Sequence, residues 1–297
     1  MNALVIPISS LRENTPDSRW HARLELRISC TSRGSRLSRC RHRGPLYVQK
    51  PFYPEGPDLA HIYLLHPPGG LVSGDLLQLD ATVEAGAKAL FTTPGAGRVY
   101  RARFDRTLQQ QCNHLVVADG ASLEWLPLEN IVYRGANACL ETRVELGENS
   151  HFMGWEVTSL GLPASGVDFD RGQLQQRLII SREGRPLLIE ALQLSEDSPA
   201  LYGSRAGMQG LPINGIFVAG PFDERTLDDL LLAQCREVLA EPKNACLVGV
   251  SVVGGFLLAR YLGSNSEQAR RLFVALWQRL RPHLIGRPGC APRIWST

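Results

Sequence analysis

The sequence lacks the features that would assign it to a secreted or membrane class. Its seven cysteines are scattered and form no CxxC pair, so a disulfide framework is not expected and reduced thiols are the simpler interpretation. No stretch of about 18 uninterrupted apolar residues occurs, so no transmembrane helix is expected. The first 20 residues lack a basic region followed by an apolar core, which argues against a secretory signal. These absences predict a soluble, cytoplasmic protein.

The chain also has little excess charge. Its 32 basic and 29 acidic residues leave a formal net charge of +3, which does not argue for a polyanionic partner. Hydrophobic residues make up 44% of the 297 residues. That share is enough for a sizeable core in one large domain or two ordinary ones.

Arginine is dense near the start of the sequence, which raises the question of a nucleic-acid-binding β protein. Such a face would use Arg33, Arg36, Arg39, Arg41 and Arg43. No aromatic residues interleave with these arginines to serve as stacking platforms for bases. A solvated cationic sheet face is therefore the favoured interpretation, and no nucleic-acid partner is expected.

Nucleotide-binding motifs are incomplete. The stretch HPPGGLVSGD, residues 66–75, places an acid after its last glycine, where a P-loop needs a lysine. The run GAGRVY, residues 95–100, begins like GxGxxG but ends in tyrosine, and no clear helical pattern follows it. Neither stretch predicts a phosphate cradle.

An esterase is an alternative that one short motif suggests. His66 followed by Gly69 and Gly70 resembles an HGGG oxyanion loop, with Ser73 or Ser251 as the nucleophile. An α/β-hydrolase also needs a GxSxG elbow, and GVSVVG, residues 249–254, is one residue too long. The sequence therefore disfavours this alternative, and we expect no enzyme activity.

Metal-binding motifs are equally sparse. The seven histidines form no HxH, HxxxH or HExxH. Cys40 with His42 and Cys112 with His114 each place a thiol and an imidazole on one strand face, but each pair offers at most two ligands. The sequence predicts no closed metal site and leaves room for weak or transient contact.

Short strands separated by glycine turns dominate the first two thirds of the chain. Residues 20–28 alternate apolar and polar, so Trp20 is expected on the buried face with Ala22, Leu24, Leu26 and Ile28. Glycine turns recur about every thirty residues, at 83–91, 117–125 and 145–152. Without an intervening helical pattern, these runs predict a mainly β core.

Helical periodicity is confined to the last third. One helix is predicted over residues 222–235, with acids in its first turn. A second begins at residues 264–267, and Pro282 is expected to help end it. Its apolar face contains Leu272, Phe273 and Leu276, whereas Arg281 belongs with the arginines placed elsewhere on the wheel. Residues 246–253 between the helices are predicted to form a buried strand.

One ordered series of short blocks is more specific than any single motif. The blocks are RGPL (43–46), VQKP (48–51), YPEG (53–56), HPPGGLVSGD (66–75), TTPGA (92–96), YR (100–101), EWLP (124–127), GWE (154–156), GLPASG (161–166) and GQL (172–174). On these blocks, over roughly residues 20–285, the sequence resembles the urease accessory protein family UreD, also called UreH. Ser73 and Leu128 depart from the family pattern, which affects local loop detail.

The resemblance implies a fold and a role. The fold is mainly β, an irregular helicoidal, β-helix-like stack of short strands with two helices near the C-terminus. The role is that of a chaperone in urease maturation, without catalytic activity. The protein would bind apo-urease and, through UreF, the GTPase UreG, so that nickel is inserted into the urease active site. Ni²⁺ would be a transient cargo conducted through the interior, and no cofactor would be tightly bound.

A conduit must bind its ion weakly, because a Cys/His cage would hold nickel too tightly to release it. Scattered carboxylates and single imidazoles would suit that purpose. Within the matching blocks and next to them, the candidates for nickel passage are His66, Asp75, Asp80, Glu124, Glu129 and Glu156. The expected organisation is a loose leader over residues 1–18, one domain over residues 19–287 and a tail over residues 288–297. Within the domain, residues 19–220 form the β core and residues 221–287 mix helix and strand.

Overall fold

The computed structural model describes residues 20–223, 226–240 and 246–296. The predicted leader, residues 1–18, lies outside this range. The described strands are β1 (His21–Thr31), β2 (Gly34–Arg43), β3 (Tyr47–Phe52), β4 (Leu59–Leu65), β5 (Leu76–Val83), β6 (Lys88–Thr92), β7 (Gly97–Val99), β8 (Gln109–Val117), β9 (Ser122–Leu126), β10 (Asn130–Val132), β11 (Asn137–Leu146), β12 (His151–Leu160), β13 (Gln173–Arg182), β14 (Arg185–Ser195), β15 (Ile213–Gly220), β16 (Leu247–Val253) and β17 (Phe256–Gly263). The α-helices are α1 (Ala200–Gly203), α2 (Asp229–Leu239) and α3 (Ser266–Leu284).

The strands form two sheets between which the chain alternates. The first sheet has seven strands in the order β14-β13-β11-β8-β5-β1-β2, and the second has ten, including the path β16-β17-β15-β12-β9-β6-β4-β3. Strands β5, β8 and β11 are parallel neighbours in the first sheet. The strands that follow them in the chain, β6, β9 and β12, are parallel neighbours in the second. Successive turns of chain therefore stack on one another, which confirms the predicted helicoidal β fold.

The glycine turns predicted from the sequence are the corners of this stack. Each of the three connects a strand of the first sheet to the next strand in the second. Neighbouring corners are joined by backbone hydrogen bonds, from Gly86 N to Asp119 O at 3.1 Å and from Gly120 N to Glu148 O at 2.9 Å. Gly86 and Gly120 have φ values of 70° and 63°, which glycine adopts at little cost.

Two apolar layers hold the molecule together. The first lies between the facing sheets and includes Leu24, Phe91 and Val144. The second lies between the outer face of the second sheet and helices α2 and α3, and includes Phe217 and Trp277. The second sheet is thus buried on both faces, which explains why strands such as β12 read as nearly continuous apolar runs.

Both long helices near the C-terminus are present, but their ends differ from the predicted ones. Helix α2 begins at Asp229, after the predicted start, and the Asp228 carboxylate caps it by accepting from Leu231 N at 2.8 Å. Helix α3 begins after Asn265, which caps Gln268 N at 3.0 Å, as the sequence indicated. It continues past Pro282 to Leu284, so the prediction that Pro282 helps to end it is wrong.

Two further local predictions are corrected. Trp20 precedes β1 and is 51% exposed, whereas Ala22, Leu24 and Ile28 are buried as expected. Among the described residues, strand β16 lies at the edge of the second sheet and has β17 as its one partner. Its Val252 and Val253 are partly exposed, so an apolar run predicted to be a buried strand lies at a sheet edge.

The predicted tail packs back onto the domain. Trp295 lies against Trp155 and Trp277, with ring centroids 5.7 and 6.0 Å away. Its indole Nε1 donates to Thr92 Oγ1 at 2.9 Å. Residues 288–296 therefore contribute to the same apolar layer as helix α3.

Candidate functional site

The loop HPPGGLVSGD connects β4 in the second sheet to β5 in the first. It turns at Gly69, whose N–H donates to His66 O at 2.8 Å. It then runs beside β7, where Leu71 forms a parallel bridge with Val99. Leu71 N donates to Arg98 O at 2.8 Å, and Tyr100 N donates to Leu71 O at 3.0 Å. The loop is thus held as an extra, strand-like segment across one end of the two sheets.

Glycine at position 70 is required by this close approach. A Cβ atom there would lie 2.5 Å from the Tyr100 ring and 2.8 Å from Arg98 O, well inside van der Waals contact. By contrast, a Cβ at Gly95, across the same cavity, would meet nothing within 4 Å. The loop is therefore tightly fitted at Gly70, whereas the segment 93–98 leaves free space at Gly95.

The acid and the hydroxyl of the loop are used to hold its shape. Asp75 is buried, and its Oδ2 accepts from Val72 N at 2.9 Å. The Ser73 hydroxyl accepts from Arg103 N at 2.7 Å. Asp75, a predicted passage residue, therefore acts as a turn-capping group beside the cavity.

Next to this loop, a cavity of about 270 Å³ lies between the sheets. Its wall is formed by the loop, by residues 93–98 and by inward-facing strand residues. Its lining includes the polar side chains of His66, Gln111, Asn113 and Glu156. Two of the six predicted passage residues, His66 and Glu156, thus line the same cavity.

Glu156 is the centre of a hydrogen-bond network that joins the two sheets. Its Oε1 accepts from Thr142 Oγ1 at 2.5 Å and its Oε2 from Gln176 Nε2 at 3.0 Å. Asn113 Nδ2 donates to Thr142 Oγ1 at 3.0 Å, and Thr158 Oγ1 donates to Gln176 Oε1 at 2.8 Å. Burial raises the pKa of Glu156, although its two hydrogen bonds oppose that rise.

His66 is also shifted toward its neutral form. Burial lowers its pKa, and the nearby negative charge of Asp75 only partly opposes this effect. A neutral imidazole has a lone pair free to bind a divalent cation. The cavity therefore presents one neutral imidazole and one carboxyl whose ionised form is disfavoured.

Asp80 and Glu129 lie away from the cavity wall. Asp80 is on the outer face of the first sheet, where Arg23 Nε donates to it at 2.8 Å and Gln78 Nε2 at 2.9 Å. Glu129 follows β9, and its carboxylate accepts from Ser266 Oγ at 3.4 Å near the start of helix α3. Neither side chain lines the space that His66 and Glu156 share.

Glu124 is buried in the layer between the second sheet and helix α3. Its Oε1 accepts from Trp277 Nε1 at 2.6 Å and from Arg281 Nε at 2.8 Å. The helical wheel predicted that Arg281 lies on the polar side of α3. This prediction is wrong, because the Arg281 side chain is fully buried. This carboxylate anchors helix α3 and faces away from the cavity.

The sequence interpretation missed the uncharged polar residues of the cavity wall and of the Glu156 network. Gln111 and Asn113 occupy inward positions of β8, where Leu115 and Val117 also point inward. Because side chains alternate between the two faces of a strand, the sequence could have predicted that these two polar residues point inward. Thr142 and Gln176 lie on neighbouring strands, and nothing in their local sequence marks them as partners of Glu156.

The described residues contain no group of three or more His, Cys, Asp or Glu side chains placed to hold a metal ion. The Cys112 thiol, on the outer face of the first sheet, has its pKa raised to about 11, chiefly by burial. None of the helices among the described residues is long and apolar enough to cross a membrane.

The geometry gives little support to the esterase alternative. Ser251 is on β16 and His66 follows β4, and five strands lie between them in the second sheet. Ser73 is closer in sequence, but its hydroxyl accepts from a backbone N–H. Within the described part of the chain, no hydrogen bond joins His66 to either serine.

The arginine-rich face is partly neutralised by its own sheet. Arg39 Nη2 lies 3.3 Å from Glu25 Oε2, and Arg23 binds Asp80. Arg36 donates to the carbonyl oxygens of Ser35 and Pro57. These contacts fit the interpretation of a solvated cationic face.

Comparisons with known proteins agree along nearly the whole chain. The profile of the family described as UreD urease accessory protein matches residues 21–296. A protein from Marinomonas sp. (strain MWYL1), named urease accessory protein UreD, is 47% identical over 285 residues, covering 94% of this chain and 91% of its own. The protein of that name from Dechloromonas aromatica (strain RCB) is 41% identical over 293 residues, with 98% and 99% coverage. The one from Alcanivorax borkumensis is 38% identical over 299 residues, with 98% coverage of each chain.

Proposed function

This chain belongs to the UreD family of urease accessory proteins, and from that premise we propose that it is a scaffold in urease maturation without catalytic activity of its own. In this proposal it binds apo-urease and, through a UreF-type protein, the GTPase UreG. The assembly inserts nickel into the urease active site, and Ni²⁺ passes through the interior of this chain as cargo. The name that the relatives share supports the role in maturation.

The cavity between the sheets is the observation that supports an interior route. Its lining brings together one imidazole, one carboxyl, three amides and the guanidinium of Arg98 in a space of about 270 Å³. His66 and Glu156 would each offer Ni²⁺ a single ligand, with water completing the coordination. Such sites bind a divalent cation far more weakly than a closed Cys/His cage, which is what transit requires.

Protonation would add to the weakness of these contacts. Because burial raises the pKa of Glu156, nickel binding there must displace a proton or compete with the Thr142 and Gln176 donors. Metal affinity at such a carboxyl falls as the pH falls. A cation at His66 meets an imidazole that is already neutral because burial lowers its pKa.

Helix α3 has little free apolar surface to offer a partner. Leu272, Phe273, Leu276, Trp277 and Leu280 are all buried against the second sheet. The helix thus covers the β core, and helix-in-groove recognition of a UreF-type protein by its apolar face is disfavoured. Partner surfaces belong on the loops and sheet edges.

Co-expression tests the maturation role. The urease subunits and the other accessory proteins are produced with and without this chain, and the nickel content of purified urease is measured by atomic absorption. Without the chain we expect assembled urease that contains little nickel. Full activation in its absence would reject the proposed function.

A matched pair of variants tests the interior route. We expect the double variant His66→Ala, Glu156→Gln to co-purify with its partners as the wild-type chain does, while the nickel content of urease falls. Asp80→Asn is the control, because it removes a carboxylate from the outer face of the first sheet. Nickel loading at the wild-type level by the double variant, with its complexes intact, would reject this route and leave the scaffold role standing.

A further inference from the structure

A second concave surface lies at the loops that lead from the second sheet back to the first. The loop from β7 to β8, the loop from β10 to β11 and the loop from β12 to β13 stack here. Ala102 N donates to Gly135 O at 2.9 Å, and Gly135 N donates to Arg171 O at 2.8 Å. A depression of about 410 Å³ opens between them. We call it the arginine depression, because its lining includes Arg101, Arg103, Arg106, Arg134 and Arg171.

The charges of the arginine depression are only partly balanced. Arg134 makes a two-pronged contact with Asp170, at 2.5 and 2.6 Å, and Arg106 pairs with Glu196. Arg103 lies 3.7 Å from Asp105. Arg101 and Arg171, by contrast, have no ion pair or side-chain hydrogen bond within the described part of the chain.

Five arginines thus face three carboxylates, an excess of two positive charges in a chain whose formal net charge is only +3. Asp170 and Glu196 already bind the guanidinium groups of Arg134 and Arg106, so Arg101 and Arg171 are the groups that an incoming carboxylate would meet. Holding like charges together costs stability, and the concentration of charge is what an anionic partner would exploit.

Phe104 stands fully exposed in the lining of the same depression. The residue has a relative exposure of 106%, although phenylalanine is commonly buried. Aromatic and arginine side chains are the residue types enriched in protein–protein interfaces, and arginine is prominent among those that contribute most to binding. Phe104 beside unpaired guanidinium groups therefore resembles an interface centre that is open to solvent.

We propose that the arginine depression is a docking surface for an acidic segment of a protein partner, whose carboxylates bind Arg101 and Arg171 and whose apolar side chain packs on Phe104. A strand of nucleic acid fits the surface less well. Stacking would need successive aromatic platforms along a basic groove, and Phe104 is the single aromatic residue in the lining. The choice of partner proteins for the test rests on the proposed function.

The test compares two charge reversals of equal size. The full-length double variant Arg101→Glu, Arg171→Glu removes the unpaired arginines, and Arg33→Glu, Arg41→Glu makes the same charge change on exposed residues of the first hairpin. Equilibrium binding to purified apo-urease and to the purified UreF-type protein is measured separately at 50 and 300 mM NaCl. Phe104→Ala is measured alongside.

We expect the first double variant to lose affinity for one of the two proteins by about 30-fold or more, with a weaker dependence on salt. Phe104→Ala should weaken the same complex by about tenfold. The hairpin control should bind both proteins like wild type.

Binding of both proteins at wild-type affinity by the first double variant would overturn the docking surface alone. The docking surface would also be overturned if the first double variant bound both proteins normally but lost affinity for inorganic phosphate or for a single-stranded DNA oligonucleotide. The arginine depression would then be a phosphate-binding site. Failure of the wild-type chain to bind either protein would overturn the proposed function together with this inference.

Discussion

Arg281 on helix α3 donates two hydrogen bonds to Glu55, a loop residue 226 positions earlier in the chain. Its Nη1 donates to Glu55 Oε2 and its Nη2 to Glu55 Oε1, each at 2.7 Å. The guanidinium is fully buried and also binds Glu124. Burial disfavours its charged form, but hydrogen bonds and charge from the two glutamates outweigh that effect and raise the pKa of Arg281. One buried cation thus fastens helix α3 to strand β9 and to the loop between β3 and β4.

Removing this cation should be strongly destabilising. Arg281→Ala leaves the buried carboxylate of Glu124 without its cationic partner and leaves Glu55 with the His61 imidazole, 2.8 Å from its Oε1. Removing one partner of a buried ion pair typically lowers the free energy of unfolding by about 3–5 kcal/mol. We expect a loss of that size in the free energy of unfolding, measured by urea denaturation. The control is Arg279→Ala, an exposed arginine on the same helix, which should change stability by no more than about 0.5 kcal/mol. Equal losses would show that the helix is not fastened by Arg281.

The lowered pKa of Glu55 predicts that the protein loses stability in acid. Burial opposes its ionisation, but hydrogen bonds from His61 and Arg281 outweigh burial and lower its pKa from 4.5 to about 2. A carboxyl whose pKa is depressed by folding contributes stability that is complete above the unfolded pKa and lost as the pH falls through the folded pKa. The contribution is on the order of 3 kcal/mol. Glu55→Gln should therefore be less stable than wild type by that amount at pH 7.

The difference between the two proteins should shrink as the pH falls from about 4.5 to about 2, because protonated Glu55 resembles glutamine. Urea denaturation at a series of pH values across this window measures the difference. Glu148→Gln, at an exposed corner, should show a small difference at every pH. A gap for Glu55→Gln that is independent of pH would contradict the pKa shift.

The two glycines beside the cavity give a third prediction. Gly70→Ala forces a Cβ to within 2.5 Å of the Tyr100 ring and 2.8 Å of Arg98 O, and overpacking of this kind costs about 1–3 kcal/mol. Gly95→Ala, on the opposite wall, should be tolerated because a Cβ there meets nothing within 4 Å. Thermal unfolding of both variants is the measurement. A Gly70→Ala protein as stable as Gly95→Ala would mean that the loop is not held as described.

Strand alternation and turn chemistry predicted more of the fold than of the site. The corners at residues 83–91 and 117–125 follow from the backbone preference of glycine for positive φ. The sequence therefore predicts these turns correctly. The same alternation places Leu77, Leu79 and Ala81 inward, and therefore already assigned Asp80 to the outer face. The strand pattern of β5 alone therefore predicts that Asp80 lies outside the space between the sheets.

The positions of Glu156 and Arg281 could not be predicted from local sequence. Strand β12 is buried on both faces, so its residues do not alternate between apolar and polar, and the direction of Glu156 is not encoded in the pattern. Arg281 is buried because Glu55 and Glu124, 226 and 157 residues away, meet it. A helical wheel sorts residues by polarity and carries no information on such distant partners.

The packing of Trp295 tests whether the domain ends at residue 287, as the sequence suggested. The ring of Trp295 lies against Trp155 and Trp277, and its indole N–H donates to Thr92 at 2.9 Å. Trp295→Ala should therefore lower the free energy of unfolding by about 2–3 kcal/mol, below the range for fully buried tryptophan because the side chain is half-buried. Trp295→Phe keeps the ring contacts and loses only the hydrogen bond, so it should cost about 1 kcal/mol. Urea denaturation of the full-length variants distinguishes the cases. If Trp295→Ala matched wild type, residues 288–296 would be a dispensable tail and the boundary at residue 287 would stand.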